Sequence, residues 1–254
     1  MRPVLSIVIA VHDNWNFTQV CLKDLAKLPA DHEVVLIDNG SQDKTCELTD
    51  LGADLSEYHP NLHVSRLKEN LGFAGGYNLG FGKSLGECVL FLNNDVRVRS
   101  DFETWTQPLI AAAKESKSLV GPTVGVLDAD FNFKCESEKM PTRGYPYISG
   151  WNLTATRFVF QELMLVGDCG PFTTEFGKAY FEDSDLGMRA RERGIELKVV
   201  PAPVHHFGKM TTKKLNTLGL YLPAKEKFIE KWKTRGKDLL LPKTEDSTGD
   251  SSKG

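Results

Sequence analysis

Residues 89–98 read VLFLNNDVRV. Four apolar residues run into Asn93, Asn94 and Asp95, after which Val-Arg-Val resumes. The apolar run has the length of a buried strand, and the polar trio stands where that strand ends. A turn built on Asn and Asp is one reading of the trio. The other is a set of hard oxygen donors suited to Mg²⁺ or Mn²⁺ bridging a diphosphate. The flanking sequence has to decide between them.

Upstream, residues 4–11 form a continuous apolar run, as in a strand covered on both faces. A helical stripe follows over 15–28, then an apolar strand over 33–37 that stops at the turn signal Asp38-Asn39-Gly40-Ser41. A short helix over 43–51, a weaker strand over 62–67 and a glycine-containing helix over 72–85 lead to the strand at 88–92. This alternation predicts an α/β fold: a mostly parallel sheet with helices on both faces. Such sheets bind ligands at the carboxyl ends of their strands. The polar clusters lie there: His12-Asp13-Asn14, Asp38-Asn39 and Asn93-Asn94-Asp95.

Downstream, 102–114 reads as a helix and 121–147 as a loop or a small antiparallel excursion. Strand and helix are expected over 151–166, a helix over 181–193, a strand over 196–200 and an amphipathic helix over 213–233. The polar stretch 243–254 reads as a disordered tail.

The chain has 254 residues, 41% hydrophobic and 26% charged, enough for one large core. A net charge of -3 with interspersed signs argues against nucleic acid as a partner. Cys21, Cys46, Cys88, Cys135 and Cys169 have neither zinc-site spacing nor a disulfide pattern, which suits reduced thiols in the cytoplasm. The apolar run at 4–11 is too short for a leader, and no window reaches the roughly 20 apolar residues of a membrane span.

Three further stretches carry candidate chemistry. FEDSDLGMRARERG (181–194) places Glu182, Asp183 and Asp185 at a helix start, as caps or as a source of a general base. PVHHFGKMTT (203–212) offers two histidines, as a metal ligand with Asp95 or as loop residues bonded to backbone. ENLGFAGGYNLG (69–80) is glycine-rich, but its spacing departs from the dinucleotide fingerprint.

Taken in order, SIVIAVHDNW, VVLIDNGSQD, ENLGFAGGYNLG, VLFLNNDVRV and YFEDSDLGMRARERG followed by VHHFG resemble glycosyltransferase family 2 with its GT-A fold. The branch they look most like contains the bacterial rhamnosyltransferases of polysaccharide assembly. The resemblance runs from Ser6 to about Thr212. It implies a single GT-A domain over 1–240: a nucleotide-binding half to about 100, an acceptor and catalytic half to about 212, and a C-terminal helix to about 235. It also implies inverting transfer from a nucleotide sugar, dTDP- or UDP-linked rather than GDP-linked, to a glycan or lipid-linked glycan.

By the same resemblance Val11, His12 and Asp13 line the nucleotide pocket and Asp38 bonds the pyrimidine. Asn70, Gly72, Asn78 and Asn94 lie beside nucleotide and donor sugar. Asp95 is the metal-binding end of the motif that is usually DxD, with His205 rather than His206 as its partner, and Asp183 is the base. Tyr147, Trp151 and Glu182 fall where acceptor contacts are expected, although aromatic residues in an irregular loop, Tyr145 included, equally serve packing. The sequence departs from the family where Asn93 replaces the first acid of DxD and His12-Asp13 replaces the commoner Tyr-Asn. The C-terminal amphipathic helix can lie on the inner face of a membrane or pack against the domain; packing is the simpler reading.

Other classes fit less well. A non-catalytic sugar-nucleotide or glycan-binding module of this fold has no need of Asp183. A nucleotidyltransferase wants a basic, glycine-rich loop after the first strand, and VHDNWNFT has none. A dehydrogenase is weaker still, because the glycines are misplaced.

Overall fold

The computed structural model describes residues 2–50, 53–98, 102–208 and 217–241. The expected tail at 243–254 and the first residues of the expected C-terminal helix, 213–216, lie outside the described residues.

The central sheet has seven strands. β1 (Leu5–Val11) lies at its middle between β2 (His32–Asp38) and β4 (Cys88–Leu92), parallel to both, and β3 (Leu62–Arg66) pairs in parallel outside β2. Every residue of β2 and β4 is buried, which explains why their sequences are apolar runs rather than alternating ones.

Beyond β4 the direction changes. After β5 (Val96–Val98), α3 (Phe102–Glu115) and β6 (Ser118–Gly121), the chain makes β7 (Val124–Leu127), β8 (Phe133–Ser137) and β9 (Tyr145–Ile148). These last three form a separate antiparallel sheet in the order β8-β7-β9, the excursion expected at 121–147. β10 (Asn152–Thr156) then inserts antiparallel between β4 and β6, and β11 (Glu196–Val199) adds in parallel outside β6. The sheet order is β11-β6-β10-β4-β1-β2-β3.

α1 (Trp15–Leu25) and α3 pack on one face of the sheet; α2 (Gly72–Lys83), α4 (Arg157–Leu163) and α5 (Glu182–Glu192) pack on the other. Two of the five glycines of α2 are explained by closeness to β1. A Cβ on Gly80 would meet the Val8 side chain at 2.3 Å, and one on Gly76 the Ala10 side chain at 2.8 Å. Each helical glycine weakens the helix by roughly 1 kcal/mol relative to Ala, and here it lets backbone lie directly on β1.

α6 (Thr217–Trp232) packs against the domain, as the simpler reading had it. Ala224, Phe228 and Trp232 are fully buried against Phe131, Phe176, Phe181 and Met188. Trp232 Nε1 donates to Asp185 Oδ1 at 2.8 Å, and Lys231 Nζ pairs with the same oxygen at 2.9 Å. Asp185 Oδ2 accepts from Arg189 Nε at 2.7 Å, so this buried carboxylate ties α6 to α5. Among the described residues no helix is long and apolar enough to cross a membrane.

Candidate active site

The carboxyl ends of β1, β2 and β4 converge with the start of α5. At the end of β1, His12 Nδ1 lies 3.0 Å from the Asn39 carbonyl, and Asp13 and Asn14 are both left-handed, with φ of 58° and 64°. The strain is held by cross-links to the next strand end. Ser41 Oγ accepts from the Asp13 N–H at 2.8 Å, and Asp13 Oδ1 accepts from the Gln42 N–H at 2.7 Å. Asp38 is fully buried; its Oδ1 accepts from the Ser41 N–H at 2.8 Å and its Oδ2 faces Arg66 Nε at 3.3 Å. Oδ1 of the carboxylate expected at a pyrimidine is thus engaged in its own turn, while Oδ2 is buried with no hydrogen-bond partner.

At the start of α2, Asn70 Oδ1 accepts from the Gly72 N–H at 2.8 Å. Gly72 has φ +77°, and a Cβ there would lie 2.5 Å from the Lys178 backbone. Asn78 has a different surrounding from the one expected. Both ends of its amide are taken by the Phe172 backbone, at 2.6 and 3.0 Å, so it holds residues 170–172 against α2 rather than facing a ligand. Asn94 likewise turns inward, donating to Thr18 Oγ1 on α1 at 2.9 Å.

Asn93 and Asp95 point to one side while Asn94 points to the other. Tyr77 Oη donates to Asn93 Oδ1 at 3.0 Å, and the Asn93 N–H donates to the Trp151 carbonyl at 2.9 Å. Asp95 is buried, and its Oδ1 has no hydrogen-bond partner although His206 Nε2 lies 3.2 Å away. That histidine corrects the expectation of His205. β12 (Val204–His206) pairs antiparallel with β5, with His206 opposite Val96 and His205 opposite Arg97. Alternation along the strand turns only His206 toward Asp95 and sends His205 outward, edge-on to Phe207.

An unpaired buried carboxylate oxygen beside a neutral-capable imidazole suits a divalent cation. Among the described residues no cluster of three or more His, Cys, Asp or Glu side chains forms a metal cage. A donor set of Asp95, His206 and the Asn93 amide fits a cation that completes its shell with substrate phosphate oxygens and water.

Trp151 joins this group to α5. Its ring stacks on His206 with centroids 4.7 Å apart, and the neighbouring Gly150 N–H donates to Asp183 Oδ2 at 3.0 Å. The helix cap is not an acid: Phe181 is the N-cap, left-handed at φ 70° after Tyr180 at 81°, with no side-chain cap bond. Asp183 Oδ1 instead accepts from the Ser184 N–H at 2.8 Å. Burial pushes the Asp183 carboxyl above the usual range against these backbone bonds, and the Glu136 charge adds to the rise. Glu182 is 4% exposed with Oε1 unpartnered, and burial pushes it up to about 8, helped by the Asp183 charge.

The expected acceptor contacts are therefore less open than anticipated. Glu182 is in the core, the Tyr147 ring lies between Gly125 and Gly187, and Trp151 has one face on His206. One residue went unread in the sequence. Glu136 of β8 reaches across, its Oε1 accepting from Trp151 Nε1 at 2.8 Å and Thr123 Oγ1 at 2.6 Å. Nothing in FKCES marks it, because its place depends on how β7, β8 and β9 pair.

The family model described as Glycosyl transferase family 2 matches residues 6–170. An uncharacterized protein of Mycobacterium tuberculosis is 29% identical over 226 residues, spanning 82% of this chain and 75% of that protein. Glycosyltransferase AglE of Haloferax volcanii is 25% identical over 229 residues, spanning 84% of this chain and 71% of AglE. The crystal structure of GalNAc-T7 with UDP, GalNAc and Mn²⁺ is similar with a TM-score of 0.61 and 19% identity, over 81% of this chain and 44% of that one. The chain thus spans less than half the length of that solved structure, and the likeness is one of fold.

Proposed function

The chain belongs to glycosyltransferase family 2 and has its GT-A fold, and from that premise we propose that it transfers a sugar with inversion from a nucleoside diphosphate to a hydroxyl of a glycan or lipid-linked glycan. The observation that carries the reading is the Asp95 carboxylate, buried with one oxygen unpaired beside His206 and linked through Trp151 and Gly150 to Asp183. Leaving-group and base functions thereby sit on one connected framework.

A Mn²⁺ or Mg²⁺ ion held by Asp95, His206 and the Asn93 amide would supply Lewis-acid neutralisation of the departing diphosphate. Asp183 accepts the proton of the acceptor hydroxyl, whose oxygen attacks the anomeric carbon opposite the leaving group. The backbone bonds from Gly150 and Ser184 fix the carboxylate's direction, and its raised pKa makes it a better base than an exposed aspartate. Asp13 and Ser41, locked to one another across two strand ends, shape the nucleotide pocket with Val11 and His12. Gly72, bare of a side chain at φ +77°, lets the Lys178 backbone close against the start of α2 beside that pocket. The preferred donor is a UDP- or dTDP-sugar, with rhamnose as the first candidate from the resemblance in 69–80.

The test is the melting temperature with UDP, dTDP and GDP, each with and without Mn²⁺. Ligand that binds only the folded chain raises the melt by mass action. The reading expects a metal-dependent rise with a pyrimidine diphosphate that Asp95→Ala abolishes and Asp183→Asn retains. The absence of any nucleotide-dependent rise in the wild type would sink it.

A further inference from the structure

Glu136 is placed by another sheet yet meets the site at its centre. Its carboxylate takes hydrogen bonds from the hydroxyls of Thr123 and Ser149 and from the Trp151 indole, and it feels the charge of His206. Burial opposes its ionisation, but those bonds outweigh burial and hold the carboxyl below its usual range. Its charge is in turn felt by Asp183. Glu136 therefore bonds Trp151, whose ring stacks on His206, and is near enough to Asp183 to raise its carboxyl.

Two features separate this from a purely structural bond. A carboxylate has about four acceptor positions, and three donors leave one open on a residue that remains solvent-exposed. That carboxylate also has no basic partner: among the described residues Glu136 forms no ion pair with Lys or Arg. An anionic group brought beside Glu136 meets its carboxylate charge, whereas a neutral sugar hydroxyl donates to its open acceptor position.

We propose that Glu136 is the acceptor-selecting residue of this site: it takes a hydrogen bond from a second hydroxyl of a neutral sugar, next to the attacking one, and turns away sugars that carry carboxylate or phosphate there. The proposal rests on the reading of Asp183 as base. It makes the small antiparallel sheet the element that tells one acceptor from another, while the central sheet handles the donor.

The experiment measures nucleoside diphosphate release with p-nitrophenyl glucoside, galactoside and glucuronide as acceptors, for the wild type, Glu136→Gln and Asp183→Asn. Gln keeps an oxygen for Trp151 and Thr123, so folding is preserved, and the nucleotide-dependent rise in melting temperature serves as its control. The wild type is expected to favour the neutral glycosides over the glucuronide by tenfold or more in kcat/KM. Glu136→Gln should raise the KM for neutral glycosides about tenfold, as loss of one charge-assisted hydrogen bond does, and shrink the discrimination against the glucuronide. Wild-type KM and selectivity in Glu136→Gln overturn the proposal alone, as does a wild type that prefers the glucuronide. Undiminished release by Asp183→Asn overturns the reading of the base, and the proposal with it.

Discussion

Glutamine in place of Glu182 should stabilise the protein, by an amount that grows with pH. Glu182 is 4% exposed, has an unpartnered Oε1, and has a carboxyl raised from 4.5 to about 8, first by burial and then by the Asp183 charge. A carboxyl raised in the folded state is bound to its proton more tightly there than in the unfolded chain. Its favourable contribution is therefore complete below pH 4.5 and is lost as pH rises to about 8. Each unit in that window removes about 1.4 kcal/mol, so the wild type has given up about 3 kcal/mol by pH 7 and about 5 kcal/mol above pH 8. Glutamine matches the protonated acid in shape and never ionises. Glu182→Gln should accordingly differ from the wild type by a small constant at pH 5 and be more stable by about 3 kcal/mol at pH 7, with a further rise at pH 9. Urea unfolding followed by tryptophan fluorescence at several pH values reads the difference directly, because the titrating groups other than Asp183 cancel between the two proteins. Asp183 titrates with its neighbour, so the same series on an Asp183→Asn background separates burial from repulsion. A difference that stays flat from pH 5 to pH 9 would refute the assignment of Glu182 as a buried acid.

Three other perturbations give distinct signatures. His206→Ala should remove the metal-dependent part of nucleotide binding while His205→Ala leaves it, since only His206 stands 3.2 Å from Asp95; titration calorimetry with UDP and Mn²⁺ measures both. The acidic limb of the kcat/KM profile should lie above the usual aspartate range, because the Asp183 carboxyl is raised and must lose its proton to act; a limb near pH 4 would contradict that role. Gly72→Ala places a Cβ 2.5 Å from the Lys178 backbone at φ +77° and should destabilise by about 2 kcal/mol or more, whereas Gly82→Ala, exposed in the same helix with nothing within 4 Å, should stabilise by about 0.5 kcal/mol in the same urea assay.

The central sheet was legible because burial on both faces leaves a sequence with no competing pattern. β1, β2 and β4 are runs of apolar residues bounded by Asp, Asn or Gly, and their order along the chain alternates with helical stripes. The expected helix at 72–85 survives five glycines; Gly76 and Gly80 face β1 and Gly72 faces the Lys178 backbone, where a side chain would collide. The antiparallel insertion of β10 between β4 and β6 was not legible. NLTAT has the composition of any half-polar strand, and its direction is set by the excursion before it.

The site shows the same division between what a strand end announces and what pairing decides. Asn93, Asp95 and Asp183 sit at ends of elements, so sequence position alone brings them near the mouth of the sheet. His205 and His206 are adjacent, and nothing local distinguishes them; the register that sets His206 opposite Val96 makes one a neighbour of Asp95 and leaves the other outside. A shift of one residue in that two-stranded pairing would exchange them. The same reasoning applies to Asn78 and Asn94, polar residues read as ligand contacts because they lie in motif-bearing stretches. Their side chains turn inward, one to the backbone of Phe172 and the other to Thr18, and so hold the walls of the site. Glu136 is the converse, an unremarkable acid on an exposed strand that two antiparallel pairings carry to Trp151. If Glu136 selects the acceptor as proposed, selectivity is written in the register of the smaller sheet, and a substitution there retunes it without touching the groups that hold the donor.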